Sequence, residues 1–330
     1  MNVLVCGVPR SGTSWVAEVL SETDGARLVN EPDHPLTNPA GGTAVSSLGL
    51  HPVLIPGQSA EAYELIWDVT FAGGFPVNAA TSRASRVLGL LPASVRAPLM
   101  SRTARLWRRV ATPPQHVIAK TVAGVFSLEW IAERYGAQVV LTKRNLLSVI
   151  GSWMRLGFVP YAGVEDPIML ADHPVVRQEY VEPLGLEPVG PDAPRLERIA
   201  FHIGLLAAHL DRLSTIHGDW TVVDHEDFSS APELHFRELC QRLGLAWSSR
   251  VTDRLSSGNA PGSGTATQRT ASQLRDSWRR DLDAEQLGRV QAVLAKFGDG
   301  FPSILEALNA SSDVVMATPS DAGAQNELPG

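Results

Sequence analysis

The sequence predicts a single α/β domain in which a central parallel β-sheet is flanked by helices on both faces. Three observations carry that prediction. Short apolar runs of strand length, at residues 3–6, 26–29, 117–119, 138–142 and 220–223, alternate with segments whose apolar residues recur at helical spacing. The first of these runs is broken by a glycine-rich loop and followed at once by an apolar helical face. Finally, 330 residues with 44% hydrophobic and 19% charged side chains suffice to bury a large core.

Taken in order, Val3 to Cys6 form the opening strand, residues 7–12 the loop, and Trp15, Val16, Val19 and Leu20 the inner face of the first helix. The second strand, 26–29, ends at Asn30-Glu31-Pro32-Asp33-His34-Pro35, a polar turn in which two prolines fix the chain. Residues 36–60 read as loop, and 81–109 as short Arg-rich helices interrupted by Pro92 and Pro98. The strand 117–119 ends at Lys120, and a helix over about 126–135 is stopped by Gly136. After the strand 138–142, Leu146, Leu147, Ile150, Trp153 and Met154 mark another helix. Residues 158–194 are rich in Pro, Gly and acidic groups and read as a surface excursion. A long helix through Ile199, Ile203, Leu206, Leu210, Leu213 and Ile216 leads to the last strand, and 258–264 read as a loop. The domain is expected to span 1–308, with 309–330 a disordered tail.

The 28 basic and 35 acidic residues leave a net charge of −7, so no global field draws the chain onto nucleic acid. A local basic pocket is still allowed. Cys6 and Cys240 are too few for a disulfide framework or a cysteine zinc site, which points to a reducing, cytoplasmic setting. No apolar run approaches the roughly 20 residues of a membrane span, and no secretory leader is evident. All but three of the basic residues are Arg; the lysines are Lys120, Lys143 and Lys296. His202 and His209, seven apart, do not have metal-ligand spacing, and no metal is expected.

Gly7-Val8-Pro9-Arg10-Ser11-Gly12-Thr13-Ser14 has the glycine spacing of a phosphate-binding P-loop, with Thr13 where the Walker lysine belongs. Such a loop aims backbone N–H groups and a helix N-terminus at a phosphate, and Arg10 adds a positive side chain. The domain is therefore P-loop-type. The bland alternative is a strand-to-helix turn that binds nothing.

These residues resemble the P-loop sulfotransferases that use 3′-phosphoadenosine 5′-phosphosulfate (PAPS). The stretch Pro9 to Trp15 matches the family's Pro-(Lys/Arg)-Ser-Gly-Thr-(Thr/Ser)-Trp pattern without a gap. A second motif, an Arg at a strand end with a Ser eight residues later, is met by Arg144 and Ser152, which the resemblance assigns to the 3′-phosphate. Lys120 stands where cytosolic members deliver a Lys to the transferring group, although their following His is replaced by Val122. Glu31-Pro32 resembles the Glu-Pro pair that supplies the base in carbohydrate-type and bacterial branches, with Asp33, His34 and Asp68 in reserve. The strand into Glu226-Asp227 resembles a scaffold element, and Arg269 resembles the Arg of a mobile loop that closes over the 3′-phosphate.

The resemblance implies in-line sulfuryl transfer from PAPS, without a metal, to the hydroxyl of a small-molecule, carbohydrate or lipid acceptor. Glu31, Lys120 and Arg10 would be catalytic. Arg10, Ser11, Gly12, Thr13, Ser14, Trp15, Arg144, Ser152 and Arg269 would bind the donor. Residues 36–112 and 155–195 carry no motif and would shape the acceptor site. Two rival readings remain: a P-loop kinase using ATP, and a non-catalytic nucleotide-binding protein.

Overall fold

The structure, a computed structural model, describes residues 1–34, 48–74, 114–158, 168–190, 192–258 and 278–315, with scattered positions between 91 and 112. Five parallel strands form one sheet: β1 (Asn2–Gly7), β2 (Ala26–Asn30), β3 (His116–Thr121), β4 (Ala137–Lys143) and β5 (Thr221–Asp224), in the order β2-β3-β1-β4-β5. The predicted fold class is the observed one. β1 is central, with Val5 opposite Lys120 on one side and Gly7 opposite Thr142 on the other.

Both faces of the sheet are covered, which is why Val3, Leu4, Val5 and Cys6 are all 0% exposed. Alternation divides them. Val3 and Val5 pack with Val16, Val19 and Leu20 of helix α1 (Thr13–Ser21) and with Phe236, Leu239 and Leu243 from the segment after β5. Leu4 and Cys6 face the larger core, which holds α2 (Glu61–Phe71), α3 (Leu128–Tyr135), α4 (Leu146–Arg155) and the long α5 (Arg195–Ile216). After β5 come α6 (His225–Ser230), α7 (Pro232–Leu243) and α8 (Ser249–Gly258), then α9 (Ala284–Leu294) and α10 (Pro302–Val315).

The predicted strands and major helices are present, with ends shifted by a residue or two and a 3₁₀ turn, Gly124–Ser127, opening the segment before α3. Three features differ from expectation. Helix α2 is not foreseen, although Tyr63, Ile66, Trp67 and Thr70 form its buried stripe. The excursion expected over 158–194 is partly core: Leu170, Val176, Tyr180 and Val181, from short helical turns between Ile168 and Val181, pack into the larger cluster with Leu186 just beyond them. Its polar composition hides the five anchors. Helix α10 runs to Val315, past the domain end expected at 308, and 316–330 lie outside the described residues.

Candidate active site

Each strand delivers its C-terminal end to one edge of the sheet. The chain leaves β1 through α1 toward β2 and leaves β4 through α4 toward β5, so the connections diverge between β1 and β4. Open parallel sheets bind ligands in the crevice at such a switch point. The glycine loop lies there.

The loop turns tightly, with the Ser11 amide donating to the Val8 carbonyl at 2.9 Å. Gly12 is the N-cap of α1 at φ 98°, and no side chain caps that helix end. A helix N-terminus with a glycine N-cap and no side-chain cap bond from it suits an anion, and the first turn of α1 opens at this edge of the sheet. Both glycines are also imposed by packing. A Cβ on Gly7 would sit 2.2 Å from Thr142 Oγ1, and one on Gly12 would sit 2.5 Å from His225 Cδ2. The Ser11 hydroxyl is buried and bonded to Thr142 Oγ1 at 2.6 Å, so Ser11 is spent on the loop itself, its side chain tying the loop to β4 and its amide closing the turn on Val8. Trp15 packs edge-on against His225 and Phe236, fixing the amino end of α1.

Arg10, Arg144 and Ser152 converge. Arg10 Nε donates to Ser152 Oγ at 3.3 Å, and an Arg144 guanidinium nitrogen donates to the Arg10 carbonyl at 3.1 Å. Their placement follows from local sequence: Asn145 caps α4 by accepting from the amides of Leu147 and Ser148, which sets Arg144 in the β4–α4 turn and Ser152 two turns along. Trp153 Nε1 adds a bond to the Pro9 carbonyl at 3.1 Å.

Lys120 and Glu31 form the second part of the site. Asn30 is in register with Lys120, and the Glu31 amide extends the ladder to the Lys120 carbonyl at 2.7 Å. The Lys120 ammonium is ion-paired with Glu31 Oε1; the side chains are 3% and 20% exposed. Lys120 follows Ile118 by two residues, so it projects to the face that carries α1. Among the described residues, Arg10 (φ 80°) and Glu31 (φ 46°) are the only non-glycine residues with positive φ. Backbone strain of that kind gathers at functional sites.

The reserve carboxylates are placed differently. Asp33 is 2% exposed and accepts from Tyr63 Oη at 2.8 Å and from Thr121 Oγ1 at 2.8 and 2.9 Å. Burial raises its carboxyl above the usual range, against those hydrogen bonds. It is a buried hub linking α2 to β3. Asp68 accepts from Tyr135 Oη at 3.2 Å on that same helix. His34 follows in the turn, its amide donating to the Glu31 carbonyl at 3.2 Å. Arg269 lies outside the described residues.

Sequence reading treats His225-Glu226 as scaffold, yet the structure sets both beside the site. His225 lies under Gly12, and burial, with Arg144 nearby, lowers its imidazole to about 3. Glu226 Oε1 is 4.0 Å from Arg144 Nε. A signal existed: a His-Glu pair directly after a strand that borders the Arg144 strand.

Among the described residues no group of three or more His, Cys, Asp or Glu side chains could hold a metal ion, and no helix is long and apolar enough to cross a membrane. The arrangement defines an α/β protein with a strand-loop-helix turn at its switch point, bordered by two guanidinium groups and a buried ammonium–carboxylate pair.

No protein-family model matches the chain, and no curated protein matches it. Solved structures give distant likenesses. The sulfotransferase domain from the curacin biosynthetic pathway is 13% identical with a TM-score of 0.45, covering 91% of this chain and 98% of that one. Mouse sulfotransferase SULT7A1 complexed with PAP is 9% identical with a TM-score of 0.42, covering 94% and 88%. Sulfotransferase STF9 from Mycobacterium avium is 12% identical with a TM-score of 0.43, covering 91% and 76%.

Proposed function

We propose that this chain is a sulfotransferase that moves the sulfuryl group of PAPS to a hydroxyl of a small-molecule, carbohydrate or lipid acceptor. The observation that carries the reading is the meeting of Arg10, Arg144 and Ser152 at the uncapped end of α1, on the sheet edge where Lys120 pairs with Glu31. The residues fit a donor with two phosphate positions. Amides of Gly12 to Ser14 with Arg10 suit the 5′-phosphate, and Arg144 with Ser152 suits the 3′-phosphate, joined by Arg269 as the sequence motif implies.

The donor, when bound, supplies an electrophilic sulfur on a good leaving group. The chain's own residues supply the rest. Glu31 accepts the hydroxyl proton as the acceptor oxygen bonds to sulfur; the old sulfur–oxygen bond breaks, and its electrons stay on the departing phosphate. Lys120 and Arg10 offset the growing negative charge, and the α1 dipole adds to that field. Because Lys120 is ion-paired with Glu31 in the structure, the cation must turn from the carboxylate toward the donor for Glu31 to act as base.

Incubation with PAPS and a panel of hydroxyl acceptors, followed by release of adenosine 3′,5′-bisphosphate, tests the reading. Lys120→Ala should cut turnover far more than it weakens donor binding. Magnesium-dependent ATP consumption would replace the reading with a kinase, and donor binding without transfer across the panel would replace it with a nucleotide-binding protein.

A further inference from the structure

The contacts around Arg144 contain a carboxyl group that the proposed mechanism does not use. Glu226 opens α6 directly after β5, and its side chain, like that of Arg144, is 10% exposed. Oε1 faces Arg144 Nε at 4.0 Å and receives the Asn145 amide at 3.4 Å. Oε2 is buried and has no hydrogen-bond partner among the described residues. Ionised, Glu226 would leave that oxygen desolvated with no donor; protonated, it carries no charge to desolvate.

We propose that Glu226 is a positioning residue for Arg144, holding the guanidinium against the glycine loop and taking up a proton when a phosphate dianion is seated on it. The inference rests on the reading of Arg144 as a phosphate ligand. Arg144 reaches Arg10 through the loop carbonyl, so its orientation is shared between Glu226 on one side and the loop on the other. A dianion arriving at the same guanidinium meets a carboxylate a few ångströms away, and the repulsion is removed most cheaply by protonation of Glu226.

The groups facing Glu226 favour that outcome. Asp224 from β5 caps α6, accepting from the Glu226 amide at 2.9 Å, and places a second carboxylate beside it. His225 is neutral, and from α10 Glu306 adds a further acidic group facing Asp224. Arg144 is the cation that opposes them, while Lys143 is engaged by Asp211 at 2.7 Å. Burial, then Asp224, raises the Glu226 carboxyl to about 7, with Arg144 pulling the other way. Uptake therefore falls in the window above pH 7, between the midpoint of the free protein and the higher midpoint of the complex, and affinity drops as pH rises through it.

The test is calorimetric titration with adenosine 3′,5′-bisphosphate from pH 6.5 to 9, where its phosphates are mainly dianionic, in buffers of different ionisation enthalpy. Wild type should take up close to one proton near pH 8, and its affinity should fall by up to about tenfold per pH unit. Glu226→Gln should bind with no proton uptake and a flat profile, whereas Glu226→Ala, which removes the contact to Arg144, should bind more weakly at every pH. Equal slopes for wild type and Glu226→Gln would overturn the proposal while leaving the donor site standing. No binding by wild type would instead remove the donor site, and this proposal with it. Should Glu226→Gln fail to fold, a carboxyl ¹³C titration of wild type decides: a Glu226 midpoint near 7 that rises with bisphosphate supports the proposal, and one in the ordinary carboxylate range, about 4.3, overturns it.

Discussion

The Lys120–Glu31 pair makes an asymmetric prediction about stability. Replacing Glu31 with Met strands an ammonium whose side chain is 3% exposed, while replacing Lys120 with Met leaves a carboxylate that is 20% exposed and can turn toward water. At an effective dielectric of about 20, opposite charges about 4 Å apart attract by about 4 kcal/mol. Removing one partner of a buried pair typically costs 3–5 kcal/mol because the other charge stays desolvated. Glu31→Met should therefore cost about 3–4 kcal/mol. Lys120→Met, relieved by the exposure of Glu31, should cost about 1–2 kcal/mol. The double variant should cost less than the sum of the singles by at least about 2 kcal/mol, since neither charge is then left alone. Urea unfolding at pH 7.5, followed by fluorescence of the eight tryptophans, measures all four corners, with an unchanged m-value as the control. Equal single losses, or additive ones, would refute the argument that Lys120 depends on Glu31 for its burial.

Gly12→Ala forces a Cβ to 2.5 Å from His225 Cδ2 at φ 98°, so it should cost about 2–4 kcal/mol; adding His225→Ala should recover the clash but not the backbone part. No recovery in thermal unfolding would locate the whole effect in the backbone. Acidification should destabilise the fold steeply. His51, His209 and His225 are held neutral by burial, at about 4, 3 and 3, and His202 well below its ordinary value, so stability present above pH 6.5 is lost as pH falls toward those values. Raised carboxyls at Glu226, Asp33 and Glu306 oppose this, since they gain stability on protonation, but the four histidines outnumber them and stability should fall from pH 6.5 to 5. A flat stability profile over that range, read by urea titration, would contradict the burial of these groups. Arg144→Ala should weaken binding of adenosine 3′,5′-bisphosphate by about 1.5–3 kcal/mol, the worth of a charge-assisted hydrogen bond; equal affinity for wild type and variant would remove Arg144 from the donor site.

Much of this architecture was legible because its signals are local. Continuous apolar runs such as Val3 to Cys6 announce strands covered on both faces, and the Gly7–Gly12 spacing announces the loop that ends the first of them. The convergence of Arg144 and Ser152 on Arg10 follows from helical geometry, two turns beyond a strand end. What escaped was set by tertiary neighbours. Asp33 reads as a turn carboxylate, and only the arrival of Tyr63 and Thr121 turns it into a buried hub. The Lys120–Glu31 pair joins residues 89 apart through strand register, which no local pattern encodes. The segment behind Tyr180 and Val181 looks polar because its few core residues are spaced irregularly through a π-helical turn.

As proposed, the glycine loop, Arg144 and Ser152 recognise a nucleotide carrying phosphates at both the 5′ and the 3′ position. The most direct measurement is calorimetric titration of the wild-type protein with adenosine 3′,5′-bisphosphate, with the same compound lacking the 3′-phosphate, and with ATP plus magnesium. The bisphosphate should bind without metal, and binding should weaken by at least about tenfold, 1.4 kcal/mol, when the 3′-phosphate is removed. Equal affinity for the two adenosine nucleotides, or preference for magnesium–ATP, would contradict it.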